Sequence, residues 1–282
     1  MSAREGPIHV VVLTGAGVSA DSGVRTFRDA GGLWEGQRPE DVATPEAWHI
    51  DRARVWRFYQ ERRSVLPSVQ PNAAHLALAA LERQLTAAHF DFTLATQNVD
   101  DLHERAGSRP LHMHGELAVL RCERCGWRVR DLERFDPLAF VPCGSCGWES
   151  LRPDVVWFGE MPYQMEAIES AVERCTHFLA IGTSGLVWPA AGLLATARSL
   201  GARTWVQSLE PPENLHPSDR FLQGRAAEVV PVLIGELCNS LGLGPTDGAL
   251  PFAAPSLAAP PLAAPPPAVA DGAQAGELAG PA

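Results

Sequence analysis

The chain predicts an α/β fold, a doubly wound Rossmann-like parallel sheet, with a smaller lobe made of a four-cysteine zinc ribbon and a helical insertion. Three observations carry that expectation. Apolar, largely β-branched runs alternate with helical stretches. The first run ends in a glycine-rich turn, and two segments break the alternation, one of them bearing four closely spaced cysteines.

The runs are "IHVVVLT" (8–14), "FDFTLATQN" (90–98), "HFLAIGTS" (177–184), "ARTWVQSLE" (202–210) and "EVVPVLIG" (228–235). The first shows no polar alternation, as expected of a strand covered on both faces, and the others are similar. Helices are expected over 71–85, 165–175 and 190–201. In such folds ligands bind at the carboxyl ends of the strands. Those ends read Thr14-Gly15-Ala16-Gly17, Thr96-Gln97-Asn98, Gly182-Thr183-Ser184 and Ser208-Leu209-Glu210, mostly small or polar residues suited to a ligand cleft. The interruptions are 43–67, which reads as helical, and 117–151, with the cysteines. The expected organisation is one catalytic unit over 1–240. Its core segments are about 8–42, 86–116 and 152–240, its helical insertion about 43–85 and its zinc module about 117–151. The Ala/Pro-rich stretch 241–282 is expected to be disordered, because it cannot bury enough surface to offset its ordering entropy.

Composition narrows the function. In 282 residues, 46% of them apolar, the formal net charge is −10. All basic residues are arginine, so no lysine is present to act as a nucleophile. An acidic balance argues against nucleic acid as a partner, since phosphate neutralisation supplies most non-specific affinity. The apolar run near the N-terminus is too short for a membrane span, which suggests a cytoplasmic protein. In that compartment thiols stay reduced. Cys122, Cys125, Cys143 and Cys146 form C-x2-C-x17-C-x2-C, a spacing that fits one structural Zn2+ with four thiolates. A redox pair and a nucleic-acid ribbon are the lesser readings.

The glycine turn, Gly15-x-Gly17-x-x-Ala20, fits a dinucleotide fingerprint that should open a helix. The acid expected about 20 residues on is not cleanly placed. Glu35 and Glu40 lie nearby, and neither ends an evident strand. An ordinary dehydrogenase is therefore the weaker version of the reading.

Taken together, "GAGVSADSGVRTFRDAGGLW" (15–34), "TQNVDDLHERAG" (96–107), "HMHGEL" (112–117), "VVWFGE" (155–160) and "GTS" (182–184) closely resemble the sirtuin family of NAD-dependent protein deacylases. The resemblance spans roughly 8–235. It implies that NAD is consumed: the acyl-lysine carbonyl oxygen attacks the nicotinamide ribose carbon, nicotinamide leaves, and the acyl group ends on ADP-ribose. It implies that His114 is the general base, a role suited to an imidazole near neutrality. His103 and His112 read as structural. Gln97, Asn98, Val99 and Asp100 match the loop that holds the ribose and the nicotinamide amide. Phe27, Arg28 and Trp34 match residues over the cofactor, joined by the Gly15, Ala16, Gly17 and Ala20 turn. Gly182, Thr183, Ser184, Ser208, Leu209, Glu210 and Ala226 match the adenosine side, with Ser208 standing where the family commonly has Asn. Val156, Phe158 and Gly159 match the stretch that receives the acylated peptide. The cysteines match a structural zinc ribbon remote from the chemistry.

The acyl group is addressed by "VWRFYQERR". If 52–63 is helical, Tyr59 and Arg62 share a face, and an Arg beside a phenol is a carboxylate clamp. Arg52, Arg54, Arg57 and Arg63 crowd the same stretch, so a solvated helix face is the alternative from the residues alone. Ala43, 16 residues before Tyr59, completes a resemblance to the desuccinylase and demalonylase subgroup. The expected substrates are proteins with acidic acyl-lysines, and also acetyl-lysines. An NAD-dependent ADP-ribosyltransferase is the alternative.

Overall fold

The computed structural model describes residues 6–25 and 36–244. The expectations for Phe27, Arg28, Trp34 and most of the 241–282 tail fall outside those residues.

In chain order the elements begin with β1 (His9–Thr14), α1 (Pro39–Val42), α2 (Pro45–Ile50), α3 (Arg52–Val65) and α4 (Ala73–Ala87). Then come β2 (Asp91–Thr96), α5 (Leu102–Ala106), β3 (Leu111–His112), β4 (Gly115–Arg121), β5 (Arg128–Arg130) and β6 (Arg152–Val155). The chain continues through α6 (Met165–Arg174), β7 (His177–Ile181), α7 (Ala190–Ser199), β8 (Arg203–Ser208), β9 (Arg220–Gln223) and α8 (Ala226–Ser240).

Six strands form one parallel sheet in the order β3-β2-β1-β7-β8-β9. The order reverses between β1 and β7, the switch point at which doubly wound sheets open a crevice. Helices cover both faces. Val10, Val12, Leu179 and Ile181 pack under α4 and α8 on one side. Val11, Leu13, Phe178 and Ala180 pack under α6 and α7 on the other. A strand covered twice needs no polar alternation, which is why the sequence of β1 reads as one apolar run. Residues 73–87, assigned above to the insertion, lie as α4 in the core of this sheet.

Two expectations are corrected. Residues 228–235 are not a strand but the middle of α8. Its buried positions Ala226, Val230, Leu233, Ile234, Leu237 and Cys238 follow the helical period. A short apolar run does not separate buried strand from buried helix, and the period emerges only over the longer window. The sixth strand is β9, which is short and only partly buried. The glycine turn likewise opens no α-helix. It is followed by two single 3-10 turns, Ala16–Val18 and Ala20–Ser22.

The smaller lobe is a three-stranded antiparallel sheet, β5-β4-β6, packed on α1 to α3. Its core joins Val42, Trp48, Trp56 and Tyr59 to Leu120, Cys122, Cys143 and Trp157. The helical insertion and the cysteine segment therefore fold around one shared core. α3 starts where the Asp51 carboxylate accepts the Arg54 N–H at 3.0 Å, and it presents Tyr59 and Arg62 three residues apart on its buried side. Among the described residues no helix is long and apolar enough to cross a membrane.

Candidate active site

A cleft of about 870 Å³ opens at the carboxyl ends of β1, β2, β3, β7 and β8 and is closed on its other side by α3 and the segment after β6. Its floor is the switch point. Gly15 N–H donates to the Ile181 carbonyl and Gly17 N–H to the Gly182 carbonyl, both at 2.9 Å. A Cβ on Gly15 would come within 2.8 Å of the Gly182 oxygen, and one on Gly17 within 2.8 Å of the Gly182 Cα. These glycines are demanded first by backbone meeting backbone across β1 and β7. Their amides are already engaged, so a ligand's phosphates would have to use other donors of the turn.

The 97–100 loop leaves β2 beside this floor. Gln97 N–H donates to the Thr14 carbonyl at 2.9 Å, and its side-chain amide donates to Thr183 Oγ1 at 3.1 Å. The Asn98 side-chain amide donates to Ser19 Oγ at 3.1 Å. Asp100 is almost fully buried. Burial pushes its carboxyl above the usual carboxylate range, against the opposing hydrogen bonds from Ser19 and the Leu102 N–H. His114 follows β3 and points its ring into the cleft. Its Nδ1 lies 3.0 Å from the Gln97 carbonyl. A carbonyl only accepts, so Nδ1 carries the proton and Nε2 keeps its lone pair. Burial holds His114 below its ordinary pKa despite that hydrogen bond, and the ring is therefore a neutral base near neutral pH.

The opposite wall belongs to the smaller lobe. Ala43, Tyr59 and Arg62 line it together, with Val156, Phe158 and Gly159 beside them. The Phe158 N–H donates to the Ala43 carbonyl at 3.0 Å and the Val156 N–H to the His114 carbonyl at 2.9 Å. The segment after β6 thus joins the wall at Ala43 to the His114 backbone. The Trp157 indole N–H donates to the Tyr59 oxygen at 2.9 Å, so the phenol proton must point away from the indole. Burial raises the Tyr59 pKa, and the phenol stays a donor at any ordinary pH. Arg62 is 8% exposed, with its guanidinium carbon 3.1 Å from the centre of the Phe58 ring.

Cys122, Cys125, Cys143 and Cys146 converge, their sulfurs all within 4.8 Å of one another. The Sγ–Sγ distances are 3.7 Å for Cys122–Cys146 and 3.6 Å for Cys125–Cys143. A disulfide needs about 2.05 Å, whereas the edge of a tetrahedron with Zn–S of about 2.3 Å is about 3.8 Å. The two knuckles repeat one geometry. Gly126 and Gly147, at φ 74° and 70°, donate to the Cys122 and Cys143 carbonyls at 3.0 Å. Cys122 and Cys143 donate in turn to Trp127 and Trp148, both at 2.8 Å. The donor set fits zinc, and four sulfurs leave no open position for catalysis.

The cleft also gathers Gly15, Ala16, Gly17, Gln97, Asn98, Val99, Asp100, Gly182, Thr183, Ser184, Ser208, Leu209 and Glu210. Ala20 and Ala226 are not on its lining; Ala226 is the first residue of α8. The Ser208 hydroxyl donates to the Glu210 carbonyl. Ser19 and Trp157 are among the cleft residues that sequence reasoning did not single out. Ser19 links Asn98, Asp100 and His75, but a serine in a glycine turn looks like turn chemistry. Trp157 sits in a quoted motif, yet only the fold reveals its bond to Tyr59.

Known proteins resemble this chain in sequence and in fold. Residues 15–189 match the model described as the Sir2 family. An NAD-dependent protein deacylase of Shewanella oneidensis is 50% identical over 239 residues, 84% of this chain and 97% of the relative. An NAD-dependent protein deacylase of Escherichia coli is 48% identical over 239 residues, 84% of each chain. The crystal structure of a Sir2 homologue–NAD complex is 38% identical with a TM-score of 0.73, covering 83% of this chain and 90% of that one. The chain belongs to the Sir2 family.

Proposed function

We propose that this protein is an NAD-dependent protein-lysine deacylase that favours acidic acyl groups, succinyl and malonyl among them, over acetyl. The coarser activity, NAD-dependent deacylation of protein, follows from the family and from relatives of about half identity that carry that name. The finer assignment is our reading of the cleft.

NAD supplies a ribose carbon made electrophilic by its nicotinamide leaving group. Gln97, Asn98 and Asp100 would hold the ribose hydroxyls and the carboxamide. Gly182, Thr183 and Ser184, with Ser208, Leu209 and Glu210, would meet the adenosine half. With Ser208 turned to Glu210, its contact to the ribose is the weakest of these. His114 Nε2 would take the proton from a ribose hydroxyl as that oxygen attacks the acyl carbon, and one water would be consumed as the lysine amine leaves, giving nicotinamide, an O-acyl-ADP-ribose and free lysine as products. The observation that carries the reading is the Nδ1 tie of His114 to Gln97, which aims an unprotonated nitrogen into the cleft.

The acyl preference rests on Ala43, Tyr59 and Arg62 sharing the opposite wall. Ala43 leaves room, while Arg62 and the Tyr59 hydroxyl offer a charge-assisted pair to a carboxylate. A cytoplasmic location is supported by thiols spaced for a metal rather than a disulfide.

A matched pair of peptides tests this, one succinylated and one acetylated at the same lysine, with NAD, followed by mass spectrometry. Faster loss of succinyl with one nicotinamide per turnover supports the entire reading. Removal of acetyl alone would discard the clamp, and transfer of ADP-ribose to protein without deacylation would discard the reaction.

A further inference from the structure

We propose that His112 is a positioning residue, held as an imidazolium that ties the Asn98 carbonyl to Glu104 and so fixes the 97–100 loop for NAD. Only the kinetic part of this inference rests on the function proposed above.

His112 ends β3, two residues before His114. Its Nδ1 lies 3.0 Å from the Asn98 carbonyl and its Nε2 2.5 Å from Glu104 Oε1. A carbonyl carries no proton to give, and an ionised carboxylate carries none either. A neutral imidazole has one N–H and could serve only one of the two. Turning the ring over would present carbon to both. Satisfying both acceptors requires both nitrogens to be protonated.

The surroundings favour that state. Burial alone would lower the His112 pKa, but the Glu104 hydrogen bond and charge, the Asn98 carbonyl and Glu116 outweigh it and leave the pKa above its ordinary value. The other groups that face the ring, from the elements packed on it, agree. Asp100 interacts favourably with a charged His112. His103 on α5 is pushed down to about 3 by burial and adds no competing charge. Arg130, which meets Glu116, is engaged with Asp101 at 2.7 Å and with Glu116 at 3.2 Å. His114, by contrast, meets the Gln97 carbonyl with one nitrogen and is held below its ordinary pKa by burial. "His-Met-His" therefore places two imidazoles of opposite proton state side by side.

The functional consequence follows from which bond fails first. When His112 gives up its proton, the remaining N–H stays with the carboxylate, the stronger charge-assisted partner. Asn98 then faces a lone pair. The loop that would carry ribose and carboxamide contacts loses one of its ties, and NAD affinity falls as pH rises through the raised pKa of His112. The base His114 is unaffected, so KM for NAD should move and kcat should not.

Nitrogen-15 NMR of the full chain reads the proton state directly, with His112→Gln assigning the signals. Near neutral pH both His112 ring nitrogens should appear protonated, and His114 should show one protonated and one bare. One bare nitrogen on His112 would overturn the proposal. In the deacylation assay, KM for NAD should climb roughly five- to tenfold with pH across the His112 midpoint, the loss of one buried hydrogen bond. Glu104→Gln, whose amide can donate to Nε2 and leave Nδ1–H on the Asn98 carbonyl, should flatten the climb, and His112→Gln should abolish it. A KM flat with pH in the wild type would overturn the positioning role. Absence of turnover would instead remove the deacylase reading, and NAD binding by calorimetry over the same range would then decide the proposal.

Discussion

The two lobes bury basic side chains of different kinds. The sheet lobe buries imidazoles: His9, His75, His103 and His177. Burial keeps them neutral, pushing His75 and His177 down to about 4 and His103 to about 3. The smaller lobe buries guanidiniums: Arg62, Arg63 and Arg152. Burial lowers Arg63 to about 10, still far above neutrality, so its charge remains. Aromatic faces shelter these cations, with Arg152 lying 3.2 Å from the centre of the Trp157 ring and Arg62 stacked on Phe58. Buried charge costs several kcal/mol even when partnered. Neutral imidazoles add no buried charge to the sheet lobe, whereas the guanidiniums do, and the four sulfurs would let a bound zinc brace the lobe that carries Ala43, Tyr59 and Arg62.

The largest test of that contrast removes the zinc. Its binding energy is folding energy, on the order of 10 kcal/mol in small zinc modules. Chelation, or Cys143→Ser, should abolish hydrogen-exchange protection across β4 to β6 and deacylation with it, while β1, β2 and β7 stay protected. Full activity in metal-free protein would break the comparison.

The next effect separates chemistry from architecture. His114→Ala should lower kcat by about a hundred- to ten-thousandfold with NAD binding unchanged within a few fold. A comparable loss of NAD affinity would mean that the Gln97–His114 tie holds the loop and that the base lies elsewhere.

A third test exploits the buried imidazoles. Their folded pKa values lie below the unfolded value of about 6.5, so the unfolded chain binds more protons between the two. Stability is therefore full above about pH 6.5 and declines as pH falls toward the folded values. For His75, depressed to about 4, the contribution is roughly 3 kcal/mol, at about 1.4 kcal/mol per unit. Melting temperature should fall with acid over that range, and His75→Gln should flatten the fall. The buried arginines stay charged throughout and add no slope.

The same contrast explains what the sequence disclosed. The strands of the sheet lobe were legible because double coverage turns them into apolar runs. The cysteines were legible because metal geometry fixes their spacing. Residues 228–235 misled because so short a stretch, dominated by Val, Leu and Ile, fits both periods, and β9 hid because "RFLQ" is short, polar and only partly buried. The small lobe was harder. Arg63 stands in "ERR", which from the residues alone also fits a solvated helix face, yet it is buried. The bond between Tyr59 and Trp157 joins residues 98 positions apart, and no local pattern encodes it. Ser19 was hidden for the opposite reason, since turn serines are common and its partners Asn98 and His75 lie far along the chain.

The smallest expected effect is the most specific to the acyl wall. Tyr59→Phe would confuse the matter, because it deprives the Trp157 indole of its acceptor inside a packed core. Arg62→Met is cleaner. Methionine replaces the stem of the side chain in volume but gives up the hydrogen bond to the Phe58 carbonyl and the stack on Phe58. That loss is common to both peptides, so the acyl preference is read from their ratio. A hydrogen bond to a charged group contributes about 1.5–3 kcal/mol, so the succinyl-to-acetyl ratio of kcat/KM should drop roughly 10- to 150-fold. Equal losses on both peptides would show that Arg62 supports the lobe rather than reading the acyl group. In that case the buried guanidinium would belong with Arg63 and Arg152 as part of the lobe's interior, and the preference for acidic acyl groups would need another source.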